Sequence, residues 1–264
     1  MKSIHSYSLI LLASLSCLFY AGAGEVPTLR GKEILLSPPA QKEWWINTTI
    51  YGWLTDISGD IAVRDYKVPV DVGMDNVLDN LDFSYMGYTE VGYKRWSVAL
   101  DVVYAKLSDD SAFAARPLSG DASLELEQAF VTSRLQYRAV DNGSLKLDVL
   151  TGFRWNYYDV DLHVNSNAGD IQRTGGEDWF DFIVGARAVA QLGGKWFFHS
   201  MGDIGGFGAE SDLTWQAVAG IGYQFTPQIS AVIGYRAMGV DYDKGGFLVD
   251  TVSHGPAVGL SFNF

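Results

Sequence analysis

The sequence HGPAVGLSFNF at 254–264 reads in twos. Pro256, Val258, Leu260, Phe262 and Phe264 fall on one side, and Gly255, Ala257, Gly259, Ser261 and Asn263 on the other. Side chains alternate across a β-strand, so this is a ribbon with one greasy face and one small or polar face. The split recurs upstream. In 213–225, Leu213, Trp215, Ala217, Ala219, Ile221, Tyr223 and Phe225 oppose Thr214, Gln216, Gly220, Gly222 and Gln224. In 145–157, Leu145, Leu147, Val149, Phe153, Trp155 and Tyr157 oppose Lys146, Asp148, Gly152, Arg154 and Asn156. In 180–192, a Phe-, Val- and Ala-rich face opposes Asp181, Arg187 and Gln191.

Outward from these segments, the pattern yields ten strands: 44–56, 82–93, 96–108, 124–138, 145–161, 178–192, 195–207, 212–225, 228–242 and 250–264. Most are about twice the length of a soluble strand. Short turns (Lys94-Arg95, Asp141–Gly143, Gly193-Gly194, Thr226–Gln228) alternate with longer connections at 57–81, 109–123, 162–177, 208–211 and 243–249. That layout predicts an all-β fold: a transmembrane antiparallel up-and-down β-barrel of about ten strands. The longest connection, the first extracellular loop, should carry a short helix. Met74, Val77, Leu78 and Leu81 recur there at helical spacing, with Asp71 placed to cap the start. Spacing does not say whether this helix covers the barrel mouth or folds into the lumen.

A soluble β-sandwich or lipocalin-like barrel would also alternate, with its apolar face inside. The aromatic residues favour the membrane form. Trp44, Trp45, Tyr93, Trp96, Tyr137, Trp196, Tyr223 and Phe225 gather at the short-turn ends, and Trp53, Tyr104, Tyr157, Trp179, Trp215 and Tyr242 near the long-loop ends. The run Leu213–Tyr235 carries no charge, but Gln216, Gln224 and Pro227 interrupt it, so it reads as two strands and a turn rather than a membrane helix.

The whole-chain numbers agree. Of 264 residues 48% are apolar and 19% charged, with a net charge of −12 and a single cysteine. This excludes a disordered chain and a disulfide scaffold, and an acidic surface argues against a nucleic-acid partner. Lys2, the uncharged run Ser8–Tyr20 and Ala21-Gly22-Ala23 have the form of a cleaved signal peptide at 1–23. Cys17 lacks a lipobox, since Ser14 stands three residues before it. The expected organisation is therefore a signal at 1–23, a periplasmic extension at 24–42 and an outer-membrane barrel at 43–264. Lipid and the outer-membrane assembly machinery are the expected partners. The terminal Leu260, Phe262 and Phe264 resemble the strand signal that machinery reads.

Six stretches carry a family resemblance: IYGWL at 50–54, VDVGMDNVLDNLDF at 70–83, GDIGGFGAESDLTWQ at 202–216, Gly-Tyr-Arg at 234–236, Val-Asp-Tyr at 240–242 and HGPAVGLSFNF at 254–264. In this order they resemble a family of uncharacterised bacterial outer-membrane β-barrel proteins. The resemblance implies a single barrel domain in the envelope and implies no activity.

Charges on the polar face are the candidate functional residues. Glu90, Asp101, Asp148, Asp181 and Asp203 face Arg134, Lys146, Arg154, Arg187 and Arg236 by parity. In a narrow barrel such groups should pair across the lumen, because unpaired buried charge costs several kcal/mol. Arg236, for instance, has Asp203 on a neighbouring strand. The alternative is a charged eyelet selecting small solutes. Catalysis has weaker support. Ser253 and His254 point to opposite faces, and Asp161 with His163 at a loop edge is the best remaining pair for a surface hydrolase of lipid or peptide. Asp241–Gly246 begins like a calcium loop, but Val252 stands where the closing Glu belongs. No enzyme activity, cofactor or metal site is expected.

Overall fold

The computed structural model describes residues 43–63, 66–109, 120–166 and 169–264. The expected signal at 1–23, the expected extension at 24–42 and most of the 109–123 connection lie outside these residues. Among the described residues the elements are β1 (Trp44–Trp53), β2 (Asp56–Val63), β3 (Tyr66–Val72), α1 (Met74–Asp79), β4 (Leu81–Tyr93), β5 (Trp96–Asp109), β6 (Gly120–Asp141), β7 (Leu145–Ser166), β8 (Gly169–Gly193), β9 (Trp196–Gly206), β10 (Leu213–Gln224), β11 (Ile229–Lys244) and β12 (Phe247–Asn263).

β1 pairs with β4, each strand from β4 to β12 pairs with the next, and β12 returns to β1. Every pairing is antiparallel, so ten strands close into an up-and-down barrel. The seam runs from Asn47 opposite Asn263 to Trp53 opposite Ala257. Closure leaves no unpaired ladder facing lipid, which is what permits strands to cross a bilayer at all.

The outward face carries the apolar residues. Ile233 is 64% exposed and Val98 59%, whereas Arg134 is 1% and Arg154 0% exposed. A soluble barrel has the opposite polarity. At the short-turn end, outward rings pack tilted or edge-on between neighbouring strands: Trp44 against Tyr93 at 4.7 Å, Trp96 against Tyr137 at 4.8 Å and Trp196 against Tyr223 at 4.8 Å. On β5 the outer positions then run Val98, Leu100 and Val102 to Tyr104, and the next is Lys106, ion-paired to Glu125. Nine residues from Trp96 to Tyr104 match the length needed to cross the apolar slab.

Part of the aromatic assignment is corrected. Trp53, Trp179 and Tyr242 are buried inside the barrel, and Trp45 lines its interior, so these four do not belong to the interfacial girdles. Each sits at an inward parity position, and clustering near a strand end does not outweigh parity.

Two connections are also corrected. The 57–81 segment is not a loop with a helix alone. β2 takes over where β1 stops, pairing with β12 from Asp56 opposite His254 to Val63 opposite Phe247, and β3 folds back on β2. The alternation Ile57, Gly59, Ile61, Val63 against Asp56, Ser58 and Asp60 carries the strand signal. α1 follows, but Asp71 does not cap it. Gly73 is the N-cap without a side-chain bond, and Asp56 Oδ1 accepts the Met74 N–H at 2.6 Å. The 162–177 connection is likewise mostly strand, because β7 and β8 run to 22 and 25 residues. Outside the bilayer a strand no longer needs an apolar outer face, so Asp159, Asp161 and Asp178 hide its continuation from hydropathy.

Candidate functional site

The lumen has three levels. Nearest the short turns is an open vestibule of about 540 Å³, lined by residues from across the wall, among them Trp45, Asn47, Phe197, His199 and Lys146. Above it lie the charged side chains, and above those an apolar core.

The lower charged cluster centres on Arg187 of β8. Its guanidinium meets Glu90 Oε2 at 2.6 Å and Asp148 Oδ2 at 2.6 Å. Glu90 also accepts from Ser97 Oγ at 2.6 Å, Tyr88 OH at 2.8 Å and Gln136 Nε2 at 3.1 Å. Asp148 accepts from Arg138 Nε at 3.0 Å. Each carboxylate is thus held by a guanidinium and by further donors, the condition under which buried charge is tolerated.

A second cluster bridges opposite walls. Arg154 Nη2 donates to Asp203 Oδ1 at 2.5 Å, and Arg134 Nη2 lies 3.3 Å from Asp203 Oδ2 and 3.7 Å from Asp101 Oδ2. Arg236 donates to Asp101 Oδ2 at 3.2 Å, to Tyr51 OH at 2.6 Å and to Gln216 Oε1 at 2.6 Å. Its guanidinium also rests 4.8 Å from the Trp53 ring. The direct acidic partner of Arg236 is therefore Asp101, across the barrel on β5, and not the expected Asp203. In a lumen this narrow, a long side chain reaches the far wall as easily as the adjacent strand.

Of the ten charged residues picked out by parity, eight meet in these two clusters. Asp181 stands apart. It accepts from Asn156 Nδ2 at 2.8 Å, Trp179 Nε1 at 3.1 Å and Ser211, whose N–H lies at 3.0 Å and Oγ at 2.7 Å. Its partners are neutral, and it fastens the β9–β10 turn into the barrel. Lys146, expected in the pairing set, makes no ion pair among the described residues. Sequence reasoning missed Arg138, which shares parity with Arg134 and Gln136, and missed Tyr51, Tyr88 and Gln216, whose hydroxyl and amide groups complete the clusters.

Above the charges, Tyr158, Trp179 and Tyr242 stack in series, and Phe130 packs edge-on against Tyr158. Phe130 meets Tyr158 at 5.7 Å, Tyr158 meets Trp179 at 5.7 Å, and Trp179 meets Tyr242 at 3.8 Å. β9 and β10 are the shortest barrel strands after β1, so β8 and β11 extend past them and their rings meet. Ile57 and Ile61 of β2, Val70 of β3 and Val77 of α1 join the same core. The segment that follows β1 therefore both extends the wall and helps fill the outer mouth. Asp161 and His163, the candidate hydrolytic pair, share the outer face of β7, where His163 is exposed.

A closed barrel with an apolar exterior, an aromatic girdle and a charged interior is a transmembrane β-barrel of the bacterial outer-membrane class. No family model and no curated protein matches the chain. Among solved structures it is similar to the outer membrane protease OmpT from Escherichia coli, at 12% identity and a TM-score of 0.47, over 84% of this chain and 97% of that one. The translocator domain of the autotransporter NalP from Neisseria meningitidis matches at 11% identity and a TM-score of 0.46, over 83% and 88% of the two chains. Ail, the attachment invasion locus protein of Yersinia pestis, matches at 11% and 0.33, over 85% and 100%. At such identities no chemistry passes from these proteins to this one.

Proposed function

We propose that the protein is a closed structural barrel of the outer membrane that does not conduct solutes through its lumen. The observation that carries this reading is the stacked seal: two ion-paired clusters spanning the lumen, roofed by an apolar core. A narrow barrel is filled by its own side chains, and wide aqueous channels belong to barrels of about 16 strands. The motif resemblance to uncharacterised envelope barrels points the same way and adds no activity. Assembly would proceed through the machinery that reads terminal strands, for which Phe264, Phe262 and Leu260 are the contact residues. Phe264 and Leu260 stand on the lipid face at 60% and 50% exposure. Purified protein in a planar bilayer should show no unitary conductance, while migrating faster on gels before boiling than after. Stable single-channel steps from folded protein would overturn the reading.

A further inference from the structure

The vestibule is built in a way the seal does not require. Three inward glycines let a ring from the next strand lie flat along the wall. A Cβ on Gly92 would sit 2.0 Å from the Trp45 ring, one on Gly222 2.0 Å from the Phe197 ring, and one on Gly220 2.6 Å from His199 Nε2. Each glycine is the direct cross-strand partner of the residue it accommodates. With any side chain there, the ring would swing inward and fill the space. The glycines thus keep open an aromatic-walled chamber of about 540 Å³, within the range of small-ligand pockets.

Its polar equipment is specific. Arg187 and Arg236 in the roof, and Arg138 on the wall, are all bound to carboxylates. Lys146 lines the same space, and although Asp141 is its cross-strand partner, it makes no ion pair among the described residues. His199 Nε2 is buried against Gly220 in the chamber wall, with no hydrogen-bond partner among the described residues. A largely apolar chamber, with an ammonium at its wall that makes no ion pair among the described residues, fits an apolar body that carries a carboxylate. We infer that the vestibule binds a small amphipathic monoanion, a carboxylate on an aromatic or short aliphatic body. The carboxylate meets Lys146 near the mouth, and the body lies between the Trp45 and Phe197 rings. This does not depend on whether the lumen conducts.

The test uses the folded full-length mature barrel in non-ionic detergent. Calorimetric titration would compare 4-phenylbutyrate, its neutral amide and 4-phenylbutylamine. The carboxylate should bind with unit stoichiometry and at least tenfold more tightly than either analogue. Lys146→Met should remove that tenfold preference, and Lys146→Arg should retain it. Gly222→Ala, which leaves every charge in place, should weaken all binding at least fivefold by pushing Phe197 into the chamber. Folding of each variant is read by gel mobility without boiling. Equal uptake of the three probes, or uptake unchanged in both Lys146→Met and Gly222→Ala, would indicate partition into the micelle and overturn the site. Conductance is measured separately, so a leaky barrel that still binds would sink only the structural reading.

Discussion

Ile233 and Arg236 lie three residues apart on β11 and face opposite solvents. Ile233 is 64% exposed on the outer surface, and Arg236 is 4% exposed inside. Arginine in place of Ile233 should destabilise the membrane-inserted fold by about 2–4 kcal/mol, the penalty for a cation on the lipid face near the midplane. Reversible urea unfolding in lipid vesicles would measure it, and an unchanged midpoint would mean that the outward face is assigned wrongly. Arg236→Met acts differently. It strips Asp101 of its closest guanidinium and leaves Gln216 and Tyr51 without a donor, at a cost of about 3–5 kcal/mol. Adding Asp101→Asn should restore part of that loss, because the second change removes the stranded charge. A purely additive double variant would argue against direct coupling. That the two residues lie on opposite faces is legible from parity, but the choice of Asp101 over Asp203 is not, since it depends on which wall a guanidinium can reach.

At the scale of elements, the segment from β2 to α1 is where local pattern and tertiary placement diverge. The spacing of Met74, Val77 and Leu78 marks the helix correctly, and Val77 is buried in the core. Its start, however, is satisfied by Asp56 from the beginning of β2, 18 residues away. Asp56→Ala should loosen α1 by about 0.5–2 kcal/mol, the usual value of an N-terminal side-chain acceptor. Faster amide exchange confined to 74–80 is the expected outcome, and unchanged exchange there would assign the stability of α1 to Val77 packing alone. The outer end of β11 offers a pH test. Asp241 sits beyond the apolar band, and its carboxyl titrates above its usual range, first through partial burial and then through Asp250, Asp212 and Asp243. A raised carboxyl pKa means that the ionised form is the strained one in the folded state. The strain is present at neutral pH and is relieved as pH falls through the raised value. Protection factors of the amides at 241–250, which have the intrinsic pH dependence of exchange divided out, should therefore rise as pH falls from neutral through the raised value, and Asp241→Asn should abolish that rise.

For the molecule as a whole, the order of the seal gives a permeability prediction. Arg187→Ala breaks the lower charged cluster but leaves the apolar core above it, so the barrel should remain silent in a planar bilayer. Replacing 57–80 with a short Gly-Ser linker removes Ile57, Ile61, Val70 and Val77 from the core and should admit ions. Continued silence of that variant would place the seal in the strand-borne aromatic cluster of Phe130, Tyr158, Trp179 and Tyr242.

Alternation by itself determined the all-β class, the ten strands of the wall and which face of each strand carries charge, and strand length with aromatic placement pointed to a membrane barrel. The first three properties follow from a two-residue repeat, which is local and survives in sequence. Three things were decided only by tertiary structure. One is the direction of the faces, because alternation is the same for a barrel turned inside out. Another is the reach of β7 and β8 beyond the bilayer, where the outer face turns acidic and the hydropathy signal stops. The last is the division of the lumen into vestibule, charged clusters and apolar core. That division depends on side chains meeting across the barrel, as Arg236 meets Asp101 and Trp179 meets Tyr242, between strands whose proximity exists only once the ring has closed.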